Sequence, residues 1–404
     1  MRKQHLLLTL LSAYSIILSS CQNSPKESNA TYDIDLVESK KITLPIDENT
    51  YYFSKRMFQY EEKGKELLFF GNFEKSAYEI ILFDLEKECV YKRVPLNKRG
   101  PNAVPGIIGC RPFMNSNGFI AFQPGMQRIS ILDEKGNIQK YYSTDPKDGR
   151  FITYIDGISN TFMPTFINDS IVYFSSRPQK PNMKTHEWNN VPLFSSLDLK
   201  TGQIDQPSLY YPPIFKQDIN NLSMGWEFLY DYNYKQKRLI CSFTGYDSLM
   251  VTDDMRNIKW YNGKSRYLKR QYPKLYEAGN LLQTLTKMKE NPSYCHIMYD
   301  KYRDVYYRFA EMSYELQSNE SPFDDPKGRE FSIIIFDKDL NIIGETKFPA
   351  NKYLYKMSFV GRDGLYISEN NEANPEFDED KLVFACFKLE DLKLLVSAKN
   401  SLGK

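Results

Sequence analysis

Beyond the first twenty residues the chain has two histidines, and one of them, His296, lies in the stretch CHIMYDKYRDVYYRF at 295–309. An imidazole close to Arg308 and Arg303, among tyrosines and aspartates, raises the question of an active site or a structural hairpin. Arg308 inside a strand would need acceptors, from tyrosine hydroxyls or from the carbonyls of a neighbouring element. Two readings of the stretch stand: a structural hairpin, or a binding role for His296 or Arg308, with Arg303 on the turn. The second histidine, His186, falls with Trp188 in the polar run RPQKPNMKTHEWNN at 177–190. There the indole is a candidate platform for a sugar ring and the imidazole a candidate contact, with a solvated loop as the plain alternative.

Familiar catalytic spacings are missing. The chain has no G-x-S-x-G, H-E-x-x-H, P-loop or G-x-G-x-x-G string. With two histidines a His-rich metal site is excluded, and a Ser-His-Asp triad would have to use His186 or His296. The run SENNEANPEFDED at 368–380 has oxygen donors for calcium but not the spaced Asp/Asn pattern and central glycine of a calcium loop. No catalytic residue, metal ligand or cofactor is therefore assigned. Tyr210, Tyr211 and Trp226 are further stacking candidates, with core packing as their alternative. Asp169-Ser170-Ile171 and Asp247-Ser248-Leu249 match a short acceptor string for protein O-glycosylation, which hairpin turns also produce.

The elements that must position these residues are strands. An apolar run ending in Asp, then three or four polar residues, recurs at IILFDLEKE, ISILDEKGN, LFSSLDLKTG, LMVTDDMRN and IIIFDKDLN, around Asp84, Asp133, Asp198, Asp253 and Asp337. A sixth copy, VFACFKLED, has Lys388 in place of the Asp. Asp accepts local backbone N–H groups at a strand exit, and the Gly or Asn that follows tolerates positive φ. Each copy is preceded by another pair of strand-like runs, such as KELLFFGNF or VYYRFAEM. Four strands per unit of about 50 residues, six times, predict an all-β, six-bladed β-propeller (NHL-like) with four-stranded antiparallel blades. The early strand KKITLP is expected to complete the last blade, with LKLLV after Asp391 as the alternative. Leu281, Leu282, Leu285 and Met288 predict a short helical insertion near 275–290, inside a basic arm between Asn262 and Pro292.

In such a ring, a three-residue turn at Lys301-Tyr302-Arg303 would set His296 opposite Arg308. The loops between blades, and between the second and third strands of a blade, converge on one face. Residues 177–190, 262–292, 315–330 and 368–380 belong there, so that loop-rich face is the expected binding surface for a protein or glycan partner.

The N-terminus reads as an address. Arg2 and Lys3 precede an apolar stretch, and Leu18-Ser19-Ser20-Cys21 resembles a lipobox, so residues 1–20 form a lipoprotein signal peptide and Cys21 the lipidation site. The stretch is short for a span of about 20 residues. Residues 21–31 form a flexible tether and 32–404 a single propeller domain. Gln22 after the cysteine points to the outer membrane, and the lack of an acidic cluster there favours its periplasmic face. The leader removes two of 53 Lys+Arg and none of 51 Asp+Glu, and a neutral body excludes a nucleic-acid partner. Cys89, Cys110, Cys241, Cys295 and Cys386 remain, with no metal or C-x-x-C spacing. They read as buried free thiols, with one disulfide open in an oxidising compartment.

YDKYRDVYYR at 299–308, GPNAV at 100–104 and FLYDYNYKQKRLICSF at 228–243 resemble segments of an uncharacterised family of Bacteroidota lipoproteins, a domain of unknown function. The resemblance implies a lipid-anchored, six-bladed propeller and transfers no catalytic residue. The resulting expectation is a binding or scaffold module. The rivals are a glycan-active or other hydrolytic enzyme with paired carboxylates at the channel mouth, and a structural envelope protein without a small ligand.

Overall fold

A computed structural model of the chain describes residues 30–73, 78–113, 118–144, 153–155, 160–178, 191–211, 228–269, 281–318, 320–321 and 327–391. Cys21, His186, Trp188 and Trp226 fall outside them.

After β1 (Ile34–Pro45), one sheet holds β2 (Met57–Glu62), β3 (Lys65–Asn72), β4 (Glu79–Asp84) and β5 (Cys89–Pro95). The next holds β6 (Gly109–Phe113), β7 (Gly118–Gln123), β8 (Arg128–Leu132) and β9 (Ile138–Ser143). A five-stranded sheet follows, with β10 (Thr153–Ile155), β11 (Phe166–Asn168), β12 (Ile171–Pro178), β13 (Phe194–Asp198) and β14 (Ile204–Asp205). The fourth comprises β15 (Phe228–Asn233), β16 (Arg238–Phe243), β17 (Ser248–Thr252) and β18 (Lys259–Asn262). The helix α1 (Leu281–Glu290) then precedes β19 (Ser293–Asp300), β20 (Val305–Glu311), β21 (Phe331–Phe336), β22 (Ile342–Phe348), β23 (Leu354–Val360), β24 (Leu365–Ser368) and β25 (Lys381–Asp391). These last strands and β1 form one eight-stranded sheet in the order β19-β20-β21-β22-β1-β25-β24-β23. The protein is thus an all-β, propeller-like arrangement of small antiparallel sheets.

Local chemistry explains the strand exits. The carboxylates of Asp84, Asp133, Asp198 and Asp337 each accept backbone N–H groups two to four residues ahead, which closes the turn. In the fourth copy that role belongs to Asp254, while Asp253 pairs with Arg238 and Lys259. The sixth copy makes no turn at Lys388, because β25 runs straight on and pairs with β1 over eleven residue pairs. Packing is face to face: β4, β7 and β21 are buried along their whole length and β3 all but its first residue, each large apolar side chain contributing roughly 1.5–3 kcal/mol.

The expectation of six separate blades is corrected to four small sheets and one of eight strands. Ile34 of β1 meets Gly344 of β22 in a parallel pair, and this fuses what would be two blades. Glycine permits it, since a Cβ at 344 would lie 2.1 Å from the Ile34 carbonyl oxygen. The helical insertion begins at Leu281, and Leu282 in its expected apolar stripe is 55% exposed.

Candidate functional site

The first strands β2, β6, β11, β15, β19 and β23 converge on one cavity of about 430 Å³. That volume is within the roughly 300–1,000 Å³ of small-molecule sites. Its deep wall includes the buried Met57, Thr161 and Ser358, whereas Tyr234, Lys235 and Lys301, on the turns after β15 and β19, are exposed. The mouth therefore lies where first and second strands meet, opposite the face carrying the long loops. In the run at 368–380, the side chains of Asn370, Asn371 and Asn374 are buried and bond backbone carbonyls, so that loop is braced internally. The basic arm is tied down at Arg266, whose backbone N–H and guanidinium both bond Glu345.

The other end of the channel is closed by Asn160–Pro164. Thr161 donates its N–H to the Lys55 carbonyl at 2.8 Å and its hydroxyl to the same oxygen at 2.9 Å. The Phe162 carbonyl accepts the Tyr230 N–H at 3.1 Å. The Thr161 carbonyl accepts from His296 Nε2 at 2.9 Å. Neighbouring sheets on either side of this segment pack through Phe174 and Phe194, so contacts to Lys55 and His296 reach across the channel. The Asn160 side chain pins the crossing by accepting the N–H groups of Phe162 and Met163.

His296 is accordingly a support for this floor. It is buried between Phe162 and Phe309, with ring centroids 4.7 and 5.3 Å away. Burial pushes its imidazole down to about 4, against the raising effect of the Thr161 bond. Its Nδ1 has no hydrogen-bond partner among the described residues.

Arg308 does not face His296. The hairpin turn is four residues, Lys301 to Asp304, because the Asp300 carboxylate takes the N–H groups of Tyr302 and Arg303 and Asp304 closes with φ +55°. His296 therefore pairs with Phe309 and Arg308 with Ile297, and a one-residue shift turns the two side chains to opposite faces of the sheet. Arg308 is fully buried over the Tyr294 ring, 3.3 Å from its centroid. It donates to Ser242 Oγ and to the carbonyls of Tyr246, Asp247 and Gly263 at 2.6–2.8 Å. Arg303 bonds Asp300 and the carbonyls of Gly361 and Arg362. Both arginines fasten β20 and its turn to adjoining elements. Tyr211 is buried and Tyr210 exposed at 41%, neither in the cavity, and Ser248 is buried in β17.

Two charged residues not singled out from sequence face the cavity. Arg111, on β6, stacks on Phe58 with its guanidinium 5.1 Å from the ring centroid, and its side chain has no hydrogen bond or ion pair among the described residues. Asp231, on β15, accepts the N–H of Tyr299 at 2.7 Å and its neighbour Tyr232 at 2.8 Å. Removal from water pushes its carboxyl up to about 6, although those bonds and the Arg111 charge pull it down. Asp231 sits in the quoted run FLYDYNYKQKRL, but period-two alternation does not mark a channel-facing carboxylate. Arg111 follows Cys110 in GCRPF, where nothing distinguishes it from a rim arginine. Among the described residues no group of three or more His, Cys, Asp or Glu side chains converges to hold a metal.

A propeller-like all-β protein with a one-ended central cavity is the class this geometry defines. The chain belongs to the family described as a domain of unknown function, DUF4221, whose profile matches residues 33–347. A DUF4221 member from Bacteroides vulgatus has a crystal structure similar at TM-score 0.84 and 51% identity, covering 89% of this chain and 99% of that one. A Bacteroides fragilis protein taken to be exported matches at TM-score 0.51 and 10% identity, covering 91% and 98%, which speaks to the fold alone. Curated proteins give no match.

Proposed function

We propose that this protein is a six-bladed propeller that binds a ligand, a glycan or a short protein segment, in its central cavity. The eight-stranded sheet acts as two blades, β19–β22 and β23–β25 with β1, joined at the single Ile34–Gly344 pair. Six separate apolar clusters, each between successive four-stranded layers and closing back on β2–β5, support that count. The observation that carries the binding reading is Arg111, a cation whose side chain has no hydrogen-bond or ion-pair partner among the described residues, in a cavity walled by six first strands.

The chain is held at the outer membrane, on the periplasmic side, through Cys21. No helix among the described residues is long and apolar enough to cross a membrane. β1 enters the sheet at Ile34, beside Asp391 at the end of β25, which is the face where the cavity opens. A tether of residues 21–31 therefore leaves from the mouth side, and the mouth looks towards the anchor. A hydrolytic reading requires two carboxylates flanking the substrate, and Asp231 is the sole carboxylate among the cavity's described lining residues.

The test is affinity capture from gently solubilised membranes with mass spectrometry of bound glycans and proteins. The protein and its Lys301→Glu variant, which alters an exposed rim residue, are compared. Capture by the protein and its loss in the variant are expected. Equal capture by both, or none above background, would remove the cavity as the binding surface.

A further inference from the structure

The geometry points to a carboxylate-bearing sugar as the cavity's ligand, with Arg111 holding the carboxylate and Asp231 accepting a ring hydroxyl. This rests on the reading that the cavity is the binding site, and it names the ligand class.

Arg111 is the first reason. Its planar guanidinium has five N–H donors in a fork that fits a carboxylate in two-point fashion. Phe58 holds one face of that plane and cannot accept its in-plane donors. Arg308 spends its donors on three carbonyls and a serine, and Arg303 on Asp300 and two carbonyls. The Arg111 side chain, half-buried at the cavity wall, spends none on a described residue. A bound anion would supply that fork with acceptors.

Asp231 is the second. Each of its oxygens takes one backbone N–H, which fixes the carboxylate plane and leaves further lone pairs for donors from the cavity. Arg111 and Asp231 form no ion pair with each other among the described residues, although each feels the other's charge. They stand on β6 and β15, with the β11 sheet between them in the ring, so a ligand spans the gap. It must present an anion at one end and a hydroxyl donor at the other.

Charge and shape narrow the class. The lining holds Arg111, Lys235 and Lys301 against Asp231 alone, so the ligand is anionic. Lys235 is paired with Asp304 at 2.6 Å, which leaves Arg111 as the main anchor. A phosphate dianion at Arg111 would be repelled by the Asp231 carboxylate across the cavity more than a single charge would, so a single negative charge fits better. Rings of Tyr60, Tyr232, Tyr234, Tyr299 and Phe359 line the rest, and such faces stack on the C–H face of a pyranose.

Isothermal titration calorimetry with D-glucuronate, D-glucose and inorganic phosphate tests this on the protein and on Arg111→Ala, Arg111→Lys and Asp231→Asn. Glucuronate is expected to bind at least about 10-fold more tightly than glucose. Loss of a bidentate charged pair weakens it about 30-fold in Arg111→Ala. Arg111→Lys keeps the charge and the Phe58 packing but loses the fork, so it should lie between. The Arg111 side chain has no hydrogen bond or ion pair among the described residues and only stacks on Phe58, so little change in the unfolding midpoint is expected of either variant. Glucose binding as tightly as glucuronate, or phosphate binding more tightly, would overturn the acidic-sugar class while leaving the cavity as a site. Glucuronate affinity unaffected in Arg111→Ala would overturn the anchor. No binding of any probe, with no capture from membranes, would remove the underlying cavity reading as well.

Discussion

Acidification should loosen the floor of the cavity through His296. Its neutral ring donates Nε2–H to the Thr161 carbonyl and packs against Phe162 and Phe309, with a native pKa of about 4. An unfolded imidazole titrates near 6.5. The folded value is depressed, so at intermediate pH the unfolded chain takes up a proton that the native one refuses. The stability this residue preserves is complete above about pH 6.5 and is lost as pH falls towards 4. Between about pH 7.5 and about pH 5 the loss is about 2 kcal/mol. Asp231, raised to about 6, titrates in the same window with the opposite sign, gaining native protons as pH falls. The bare pH slope is thus not diagnostic, and the comparison must be with His296→Gln, whose amide keeps a donor for Thr161. Urea unfolding of both proteins at the two pH values should show a larger acid loss in the wild type by about 2 kcal/mol. Identical pH dependence in the two would refute a neutral, buried His296 as the floor's support.

The Arg308 cluster predicts two core defects. Arg308→Met should cost at least about 3 kcal/mol by taking a charged donor from the carbonyls of Tyr246, Asp247 and Gly263, of which Asp247 keeps the Gly263 N–H, read as a lower urea midpoint. Gly263→Ala should cost about 1–3 kcal/mol, because its Cβ would lie 2.7 Å from Arg308 Nη1 and 3.0 Å from the Asp247 carbonyl oxygen, and both are held in place. For thiols, all five described cysteines are free and burial pushes Cys110 and Cys241 up, so timed alkylation of the native protein should label Cys89 and Cys295 first and the other three only on unfolding. Finally, if the protein is anchored on vesicles through the lipid proposed at Cys21, a headgroup-bound gadolinium relaxation agent should broaden a label at Lys235→Cys more than one at Lys327→Cys, on the opposite face; the reverse order would turn the mouth away from the membrane.

Much of the ring was legible in the sequence because it rests on local rules. Asp at a strand exit and alternation of apolar residues repeat through the chain, and the structure answers with antiparallel ladders at Asp84, Asp133, Asp198 and Asp337. What failed was counting by single residues. One extra residue in the Lys301–Asp304 turn, stabilised by the Asp300 side chain, reversed the facing of His296 and Arg308. The junction at Gly344 was invisible because glycine has no pattern of its own, and its role appears when Ile34, 310 positions earlier, comes beside it. Arg111 and Asp231 were hidden for the same reason. A cavity is made by side chains from strands far apart, and no spacing within one segment encodes that meeting.

The hairpin at 295–309 thus has its chemistry turned to construction. On one face of β20, Arg308 gathers carbonyls of the β16–β17 connection and of Gly263, which locks the fourth sheet against the eight-stranded one. On the other face of the same ladder, His296 holds the segment that crosses the channel. Neither residue lines the cavity. His296 braces the segment Asn160–Pro164 that closes one end of the cavity, so solvent reaches Arg111 and Asp231 from the mouth side. Arg308 acts one step further out, by holding in register the sheet that carries His296.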